Sequence, residues 1–250
     1  LLYTTNERER ERALALYLIQ ESIFRHRTTC ESMGSDEGKN PYWVREELRR
    51  RRLYVGGEKS TGIDHNKECF ILMGLLKECG KSKNLYKGTR IHEMIVDKGL
   101  LGKNSYLARS LISMYAKCGA IWKAYKVLEE VPDQDIICWS IVISGYVKQG
   151  QGHEALKCFE EMVSGGSHPD AITFTCVLKA CGTIGAIDEG KRIHDEIVTR
   201  GFLEKDIVLG NALIDMYVKC GKIGKAQEVL DDLPIRNIVS WSALISGYAD

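Results

Sequence analysis

The sequence predicts an all-α fold, an α-solenoid of stacked helix-turn-helix repeats that forms a superhelix. Residues 69–148 recur 102 positions later as residues 171–250, with 34 of 80 aligned positions identical and no gap. Each 102-residue unit divides into pieces of 36, 31 and 35 residues, and each piece has room for two helices and two turns. Three of the four prolines, Pro132, Pro169 and Pro234, lie close to piece boundaries. Such self-similarity at a fixed period indicates a repeat array.

Residues 1–68 precede the repeats and do not match their period. Two helices are predicted here, ALALYLIQESIF over residues 13–24 and YWVREELRRRRLYV over residues 42–55, the second opened by a proline. A polar loop is expected over Thr28–Asn40 and a glycine-containing linker over Val55–Lys67. The four consecutive arginines favour a solvated helix face over a nucleic-acid site, because two glutamates precede them.

The piece from residue 136 to residue 170 shows the repeat pattern best. Its first helix, WSIVISGYVKQG, places apolar residues at helical spacing, and its second helix is HEALKCFEEMVSG. Gly150 and Gly152 are predicted to break the chain between the helices, and Gly165 and Gly166 to end the second one. A pair of short helices cannot bury its apolar face alone, so neighbouring pieces are expected to stack around a concave inner surface.

Composition limits the classes of function. The net charge is +1, so any anion-binding surface must be local. No apolar run reaches the roughly 18 residues that a transmembrane helix needs. The nine cysteines are an odd number without a CxxC pair, which favours packed thiols in a reducing compartment over disulfides or a zinc site. The sequence starts at Leu1 and stops in mid-repeat, so we interpret it as a fragment.

The histidines and aromatic residues that recur at the period are predicted to pack between helices. His194 and Glu196 imitate the HxE of a zinc deaminase, but no PCxxC follows and His92 holds the same place one unit earlier. We find no nucleophile–base pair, no paired carboxylates and no nucleotide loop. The chain is therefore predicted to be no enzyme and to need no cofactor, metal or small-molecule substrate. Core packing is likewise predicted for Trp139, Trp241, Tyr115, Tyr146, Tyr217 and Tyr248.

Short sequence motifs within the pieces resemble those of a known family. The starts CWSIVISGY and SWSALISGY, the segments SLISMYAKCG and NALIDMYVKCG, and TFTCVLKACGTIGAIDEGKRIHDEIVTRGF resemble the pentatricopeptide repeat family. The lengths 36, 31 and 35 resemble the L, S and P repeats of its plant-type PLS subclass, whereas tetratricopeptide repeats keep a constant 34 residues. The pieces are then L (69–104), S (105–135), P (136–170), L (171–206), S (207–237) and a P piece that stops after its first helix (238–250).

The resemblance implies a single-stranded RNA ligand with one base read by each repeat. In this family the fifth residue and the closing residue of a repeat select the base, and the second residue supplies an apolar wall that sandwiches it. We call the fifth and closing residues the reading pair, and the pair with its wall a slot. In the P piece, the slot is Ser140 and Asp170 with Ile137, for which guanine is expected.

The following slots are assigned in the same way. Asn211 and Asn237, with Val208 as the wall, imply a pyrimidine, cytosine over uracil. Thr175 and Asp206, with Ile172, form a nominal guanine slot in an L piece, a type that often reads weakly.

Other positions depart from the pattern or lie beside it. Arg109 faces Asp135 in the first S piece and cannot accept a hydrogen bond, so the two either pair with each other or Arg109 holds a phosphate. Met73 with Asn104 is also non-standard, and Ser242 is the fifth residue of the last piece. Four lysines are candidates for contacts with the RNA backbone: Lys117, Lys148, Lys179 and Lys219.

The resemblance implies sequence-selective RNA binding in organellar RNA processing, most often site recognition for C-to-U editing, in a mitochondrion or plastid. The expected partners are single-stranded organellar RNA and editing or processing proteins, with no membrane. The deamination chemistry would belong to a C-terminal domain or to a recruited protein. The alternative is a structural repeat-protein subunit of an organellar ribosome or another assembly, and a deaminase domain beyond residue 250 is the third hypothesis.

Overall fold

The computed structural model describes residues 65–132 and 134–249, and these residues form helices and connections without a β-strand. Eleven α-helices occur in this part of the chain. They are α1 (His65–Ser82), α2 (Leu85–Asp97), α3 (Ser105–Lys117), α4 (Ile121–Glu130), α5 (Ile136–Lys148), α6 (Gly152–Ser164), α7 (Ala171–Ile184), α8 (Ile187–Thr199), α9 (Ile207–Lys219), α10 (Ile223–Asp232) and α11 (Ile238–Ala249).

The helices form two layers. Each odd-numbered helix, which we call a first helix, packs on the next odd-numbered helix, from α1 through to α11. Each even-numbered helix packs on the two first helices that flank it in sequence. Within the described residues each hairpin therefore packs on its neighbours in sequence, which is the arrangement of an α-solenoid. The predicted all-α solenoid of stacked hairpins is confirmed.

The first helices begin where the preceding piece ends. The closing residue of that piece is the N-cap, and its side-chain oxygen accepts a hydrogen bond from a backbone N–H two or three residues further on. The Cys138 N–H lies 2.8 Å from Asp135 Oδ1, and the Thr173 N–H lies 2.8 Å from Asp170 Oδ1. Such caps satisfy backbone donors that have no partner within the helix. A closing residue therefore fixes where the next first helix starts.

Glycine and proline separate the helices, with one difference from the prediction. Gly150 follows α5 with φ of +73°, a backbone conformation that favours glycine, and Pro169 lies in the connection before α7. Gly152 does not break the chain but begins α6. It is buried, and a Cβ added there would lie 2.5 Å from Ile184 Cγ2, so glycine at this position allows α6 to approach α7.

The start of the array differs from the predicted linker. The first helix α1 begins at His65, so the last three residues of the expected linker Val55–Lys67 are helical. No glycine or proline interrupts residues 64–69, and Glu68 in the first turn of α1 forms an ion pair with Lys98. The two helices and the loop predicted before residue 56 lie outside the described residues.

Aromatic packing follows the prediction except in the last described helix. Trp139, Tyr115, Tyr146 and Tyr217 are buried, as predicted. The predicted burial is wrong for the last two aromatic residues of that set, Trp241 and Tyr248, which are exposed on α11. The reason is geometric, because α11 packs on α9 and α10 and no other described helix covers its remaining surface.

The described cysteines are free thiols packed between helices, as predicted. Cys118 and Cys220 repeat one arrangement, since their thiols donate to the carbonyl oxygens of Cys79 and Cys181 at 3.7 and 3.8 Å. Burial raises the pKa of the Cys181 thiol to about 12, which keeps it neutral. Among the described helices, none combines the length and the apolar character needed to cross a membrane.

Phe174 provides a test of the packing between hairpins. Its ring is fully buried, with ring centroids 6.1 Å from Phe159 and 5.6 Å from Phe202. Phe174→Ala should lower the free energy of unfolding by about 3–5 kcal/mol in urea denaturation, because it removes buried contacts and leaves a cavity. Phe70, which is 74% exposed, supplies the matched control. Phe70→Ala should change stability by less than about 0.5 kcal/mol, and equal losses in the two variants would contradict this packing.

Candidate functional site

One surface of the first-helix layer carries the predicted site. The second, fifth, ninth and thirteenth residues of each piece lie on one side of its first helix, because these intervals follow the helical period. Those that the structure describes are all at least partly exposed. We call this surface, together with the closing residues, the first-helix face. It comprises Phe70, Met73, Lys77, Lys81, Tyr106, Arg109, Ser113, Lys117, Ile137, Ser140, Ser144, Lys148, Ile172, Thr175, Lys179, Thr183, Val208, Asn211, Asp215, Lys219, Val239, Ser242, Ser246 and the closing residues Asn104, Asp135, Asp170, Asp206 and Asn237.

The second residue of every piece is an exposed apolar side chain. The three predicted walls are 44% (Ile137), 65% (Ile172) and 59% (Val208) exposed. Phe70, Tyr106 and Val239 hold the same position, are also exposed, and were missed in the site prediction although their position in the piece could have identified them. Single exposed apolar residues are common, but a series repeated at one phase of six helices indicates a binding surface.

The reading pair Ser140 and Asp170 is brought together by a third side chain. The Ser140 hydroxyl lies 2.8 Å from Thr173 Oγ1, and Thr173 donates to Asp170 Oδ1 at 2.8 Å. Asp170 Oδ1 also accepts the Thr173 backbone N–H, and Ser140 lies 2.8 Å from the carbonyl oxygen of Ile136. The two predicted residues are thus joined by one chain of hydrogen bonds.

The reading pair Asn211 and Asn237 repeats this arrangement in the next S piece. Ser240 Oγ donates to Asn211 Oδ1 at 2.6 Å and lies 3.1 Å from Asn237 Oδ1. Asn237 Oδ1 also accepts the backbone N–H groups of Val239 at 3.0 Å and Ser240 at 2.9 Å. Thr173 and Ser240 were both missed by the sequence prediction. The signal that could have found them is a hydroxyl residue at the third position of the piece that follows each pair.

The Thr175 and Asp206 pair lacks such a link. Thr175 donates to the Ala171 carbonyl oxygen at 2.8 Å, and Asp206 Oδ1 accepts from the backbone of Val208 and Leu209. The third residue of the following piece is Leu209, which has no polar atom to join them. This pair therefore keeps its two members as separate hydrogen-bonding groups.

Two further residues of the prediction, one closing residue and one fifth residue, bond to the backbone. Asn104, behind Met73, accepts the Leu107 N–H as a cap. Ser242 donates to the Ile238 carbonyl oxygen at 2.6 Å. These two bonds to the backbone lie within the helix that each residue caps or belongs to, and neither bond joins a fifth residue to a closing residue.

Arg109 and Asp135 form an ion pair, which is the first of the two arrangements predicted for them. Burial alone would raise the pKa of Asp135, but the Arg109 guanidinium and the Cys138 N–H hold it below its usual value. The hydrogen bond to Asp135 also raises the pKa of Arg109, so the guanidinium stays charged. Arg109 stacks on Tyr106, with Cζ 5.4 Å from the ring centroid. The two polar groups of this slot therefore bind each other.

The first-helix face is locally basic although the chain is nearly neutral. It carries six lysines and one arginine against four carboxylates, and the four lysines predicted to contact a ligand are exposed. Lys219 pairs with Asp215 at 2.6 Å. Between α1, α3 and α5 the face opens into a cavity of about 560 Å³, lined among others by Phe70, Met73 and Lys117. An apolar floor with cationic edges suits a flat, anionic ligand such as a nucleotide.

The recurring histidines pack against tyrosines, as predicted. His92 Nδ1 lies 2.9 Å from the Tyr115 hydroxyl, and His194 Nδ1 lies 2.9 Å from the Tyr217 hydroxyl. Burial lowers the pKa of both histidines, which favours the neutral ring. Within the described residues, no three His, Cys, Asp or Glu side chains are grouped so that they could hold a metal ion.

Comparison with known families identifies the repeats. A model described as the PPR repeat family matches residues 134–183, and a model described as PPR repeat matches residues 109–136, 172–202 and 211–238. The chain belongs to the pentatricopeptide repeat family. A pentatricopeptide repeat-containing protein of Arabidopsis thaliana is 38% identical over 180 residues, which are 72% of this chain and 35% of the relative.

Other relatives carry an organelle in their names. Two further Arabidopsis thaliana pentatricopeptide repeat-containing proteins, named chloroplastic and mitochondrial, are each 37% identical over 71% and 76% of this chain. The chain spans only 34% and 18% of their respective lengths.

Solved structures show the same fold. The pentatricopeptide repeat protein PPR10 from maize matches with a TM-score of 0.59 and 22% identity, over 81% of this chain and 27% of that one. A structure of PPR10 in complex with an 18-nt psaJ RNA element matches with a TM-score of 0.50 and 24% identity, over 75% of this chain and 26% of that one. At these identities the likeness establishes the pentatricopeptide repeat solenoid.

The histidine–tyrosine contacts predict a pH dependence of stability. Because both folded histidines have pKa values below the ordinary 6.5, the unfolded chain binds more protons as the pH falls below 6.5. The stabilisation is therefore complete above pH 6.5 and is lost as the pH falls towards the folded pKa values. The double variant His92→Gln/His194→Gln should show a shallower loss of stability between pH 7 and pH 5 in urea titrations. His153→Gln, at an exposed position, should retain the wild-type slope, and a double variant with that same slope would refute this origin.

Proposed function

We propose that the first-helix face binds single-stranded RNA with one base in each slot. The observation that carries this proposal is the repetition, along successive first helices, of an exposed apolar second residue beside a polar reading pair. Unstacked bases present an apolar face for packing and a polar edge for hydrogen bonding, and the slots of Ser140, Thr175 and Asn211 offer both in the same order. The basic character of the face supports the same proposal, because lysines near a phosphate backbone strengthen binding.

The slots differ in what they read. Ser140 and Asp170 offer acceptors to the ring N–H and amino group of guanine, while Asn211 and Asn237 favour cytosine over uracil. Thr175 and Asp206 form a weaker guanine slot, since no side chain joins them. Arg109 and Asp135 bind each other and read no base. Met73 is only a weak hydrogen-bond acceptor, so the first slot holds its base mainly by stacking against Phe70 and Tyr106.

We infer the cellular role from the family. We place the protein in a mitochondrion or plastid, as in its relatives with those names, and assign its repeats to the plant-type PLS subclass. Its role is recognition of sites in organellar RNA processing, and more specifically in C-to-U editing. In this proposal the array is a binding scaffold, and the deamination belongs to a separate domain or a partner protein. The alternative role, a structural subunit of an organellar assembly, is supported by the ion pair that closes the Arg109 slot.

A base-substitution experiment tests the reading. The slots of Ser140, Thr175 and Asn211 are consecutive, so RNA containing GNC, or CNG for the opposite strand polarity, should bind more tightly in fluorescence anisotropy than RNA with another base at either outer position. Replacing the G or the C should weaken binding by about 1–3 kcal/mol, as expected for loss of a bidentate contact. Replacing the base at the Arg109 slot should leave the affinity within two-fold, roughly 0.4 kcal/mol, because its polar groups are already paired.

A substitution in the protein checks the assignment of residues to bases. Asn237→Asp should shift the preference at that slot from cytosine towards uracil, because a carboxylate can accept from the uracil N–H and an amide N–H₂ group cannot. The Ser140 slot of the same variant is the control and should keep its guanine preference. Equal binding of all bases by the wild-type protein would favour the structural-subunit alternative, and an unchanged cytosine preference in the variant would refute the assignment.

A further inference from the structure

Two buried hydroxyl groups lie directly behind the reading pairs. Thr173 and Ser240 are fully buried, and they are the two buried polar side chains in the part of the chain that the structure describes. Each is the third residue of its piece, and each bonds to both members of the preceding reading pair. We propose that Thr173 and Ser240 are positioning residues that fix which hydrogen-bonding groups the reading pair presents to a base. This inference rests on the proposed RNA binding.

Counting the hydroxyl protons in the Ser140 slot shows whether its reading pair offers hydrogen-bond donors or acceptors to a base. Each hydroxyl has one proton. Asp170 can only accept, so Thr173 donates to it, and the Ser140–Thr173 contact of 2.8 Å must then use the Ser140 proton. The other inward partner of Ser140, the Ile136 carbonyl oxygen, would use the same proton. In either case the Ser140 proton points into the protein, and its oxygen presents lone pairs outward.

An acceptor-only pair selects one base edge. The Ser140 oxygen and the free oxygen of Asp170 both require donors from the ligand. Guanine supplies two adjacent donors, its ring N–H and its amino group. Adenine supplies a donor beside a ring nitrogen that is itself an acceptor, which would face the Ser140 lone pairs. Thr173 therefore strengthens discrimination between guanine and adenine by keeping the Ser140 proton away from the ligand.

The Asn211 slot presents donors, where the Ser140 slot presents acceptors. Asn237 Oδ1 already accepts two backbone N–H groups, which turns its N–H₂ group outward. The Ser240 proton goes to Asn211 Oδ1, its shorter contact at 2.6 Å, and holds that oxygen inward as well. Both amides then present donors. Cytosine offers two adjacent acceptors, N3 and O2, whereas uracil places an N–H between its acceptors, so a donor pair favours cytosine.

The neighbouring slots provide an internal comparison. The third residues behind Met73/Asn104 and Thr175/Asp206 are Leu107 and Leu209, both buried and apolar. Asp206 still caps its helix through backbone donors, so a cap does not require the buried hydroxyl. The hydroxyl occurs behind the two pairs whose members it joins. Its position is explained by orientation of the reading pair rather than by formation of the helix.

The first test uses Thr173. Thr173→Val keeps the shape and removes the hydroxyl, while Thr173→Ser keeps the hydroxyl and removes the methyl group. In anisotropy titrations the ratio of affinities for guanine and adenine at the Ser140 slot should fall on the order of ten-fold in Thr173→Val, since bidentate contacts discriminate by about that factor. Thr173→Ser should retain the wild-type ratio. The cytosine preference at the Asn211 slot should be unchanged in both variants.

Ser240 allows an independent test that includes a measurement without RNA. Ser240→Ala should free the Asn211 amide to turn, so the ratio of cytosine to uracil affinities should fall towards one, and Ser240→Thr should restore it. Nuclear magnetic resonance relaxation of the side-chain N–H₂ groups should show increased motion for Asn211 in Ser240→Ala. Asn237 keeps its two backbone donors and should show little change.

The outcomes separate the two levels of the proposal. Loss of slot-specific discrimination with rescue by the hydroxyl-bearing variants supports the inference. A wild-type protein that discriminates while Thr173→Val and Ser240→Ala discriminate equally well overturns the inference and leaves the proposed RNA binding intact. Equal losses in the hydroxyl-free and hydroxyl-bearing variants also overturn it, because packing volume would then be the cause. A wild-type protein without base preference at either slot overturns both.

Discussion

The hydrogen bond between a closing side chain and the backbone of the next first helix is the interaction on which this structure depends. It ends one hairpin and starts the next, so it sets the spacing of the first helices. The same bond uses one oxygen of the closing residue and leaves its other polar atom directed elsewhere. Capping of the first helices thus places a hydrogen-bonding group at an equivalent position in the slots that these residues close.

Much of this arrangement could be predicted from one sequence. The exact 102-residue repeat and its punctuation predicted the hairpins, and the period placed Ser140, Asp170, Asn211 and Asn237 at equivalent positions. The period could not predict that Trp241 and Tyr248 are exposed, because exposure depends on which helix covers a side chain. The roles of Thr173 and Ser240 were hidden for a related reason. Threonine and serine are common at helix starts, and only the fold shows that these two contact a residue about 30 positions earlier.

Rigid packing behind the face supports selective contacts on it. The first helices are joined by buried leucine, isoleucine and aromatic side chains, and hydroxyl groups penetrate this layer at two places. A buried polar group that is fully hydrogen-bonded restricts the orientation of its partners, whereas an unpaired one costs stability. The thiol of Cys138 lies at the equivalent place behind Arg109 and Asp135, and burial followed by the nearby Asp135 carboxylate raises its pKa to about 12. The third residue of the piece behind a slot is therefore a hydroxyl residue, a cysteine or a leucine, while the closing residue before it still caps the helix.

The ion pair of Arg109 and Asp135 would relax the sequence requirement on one nucleotide of a bound RNA. Asp135 continues to cap α5, so the array keeps its spacing across a slot whose polar groups satisfy each other. If the first-helix face binds RNA as proposed, a target could change at the nucleotide opposite this slot without loss of binding. The nucleotides on either side would remain under selection. Recognition would then be divided into two groups of nucleotides, one on each side of the Arg109 slot, at a fixed distance from each other.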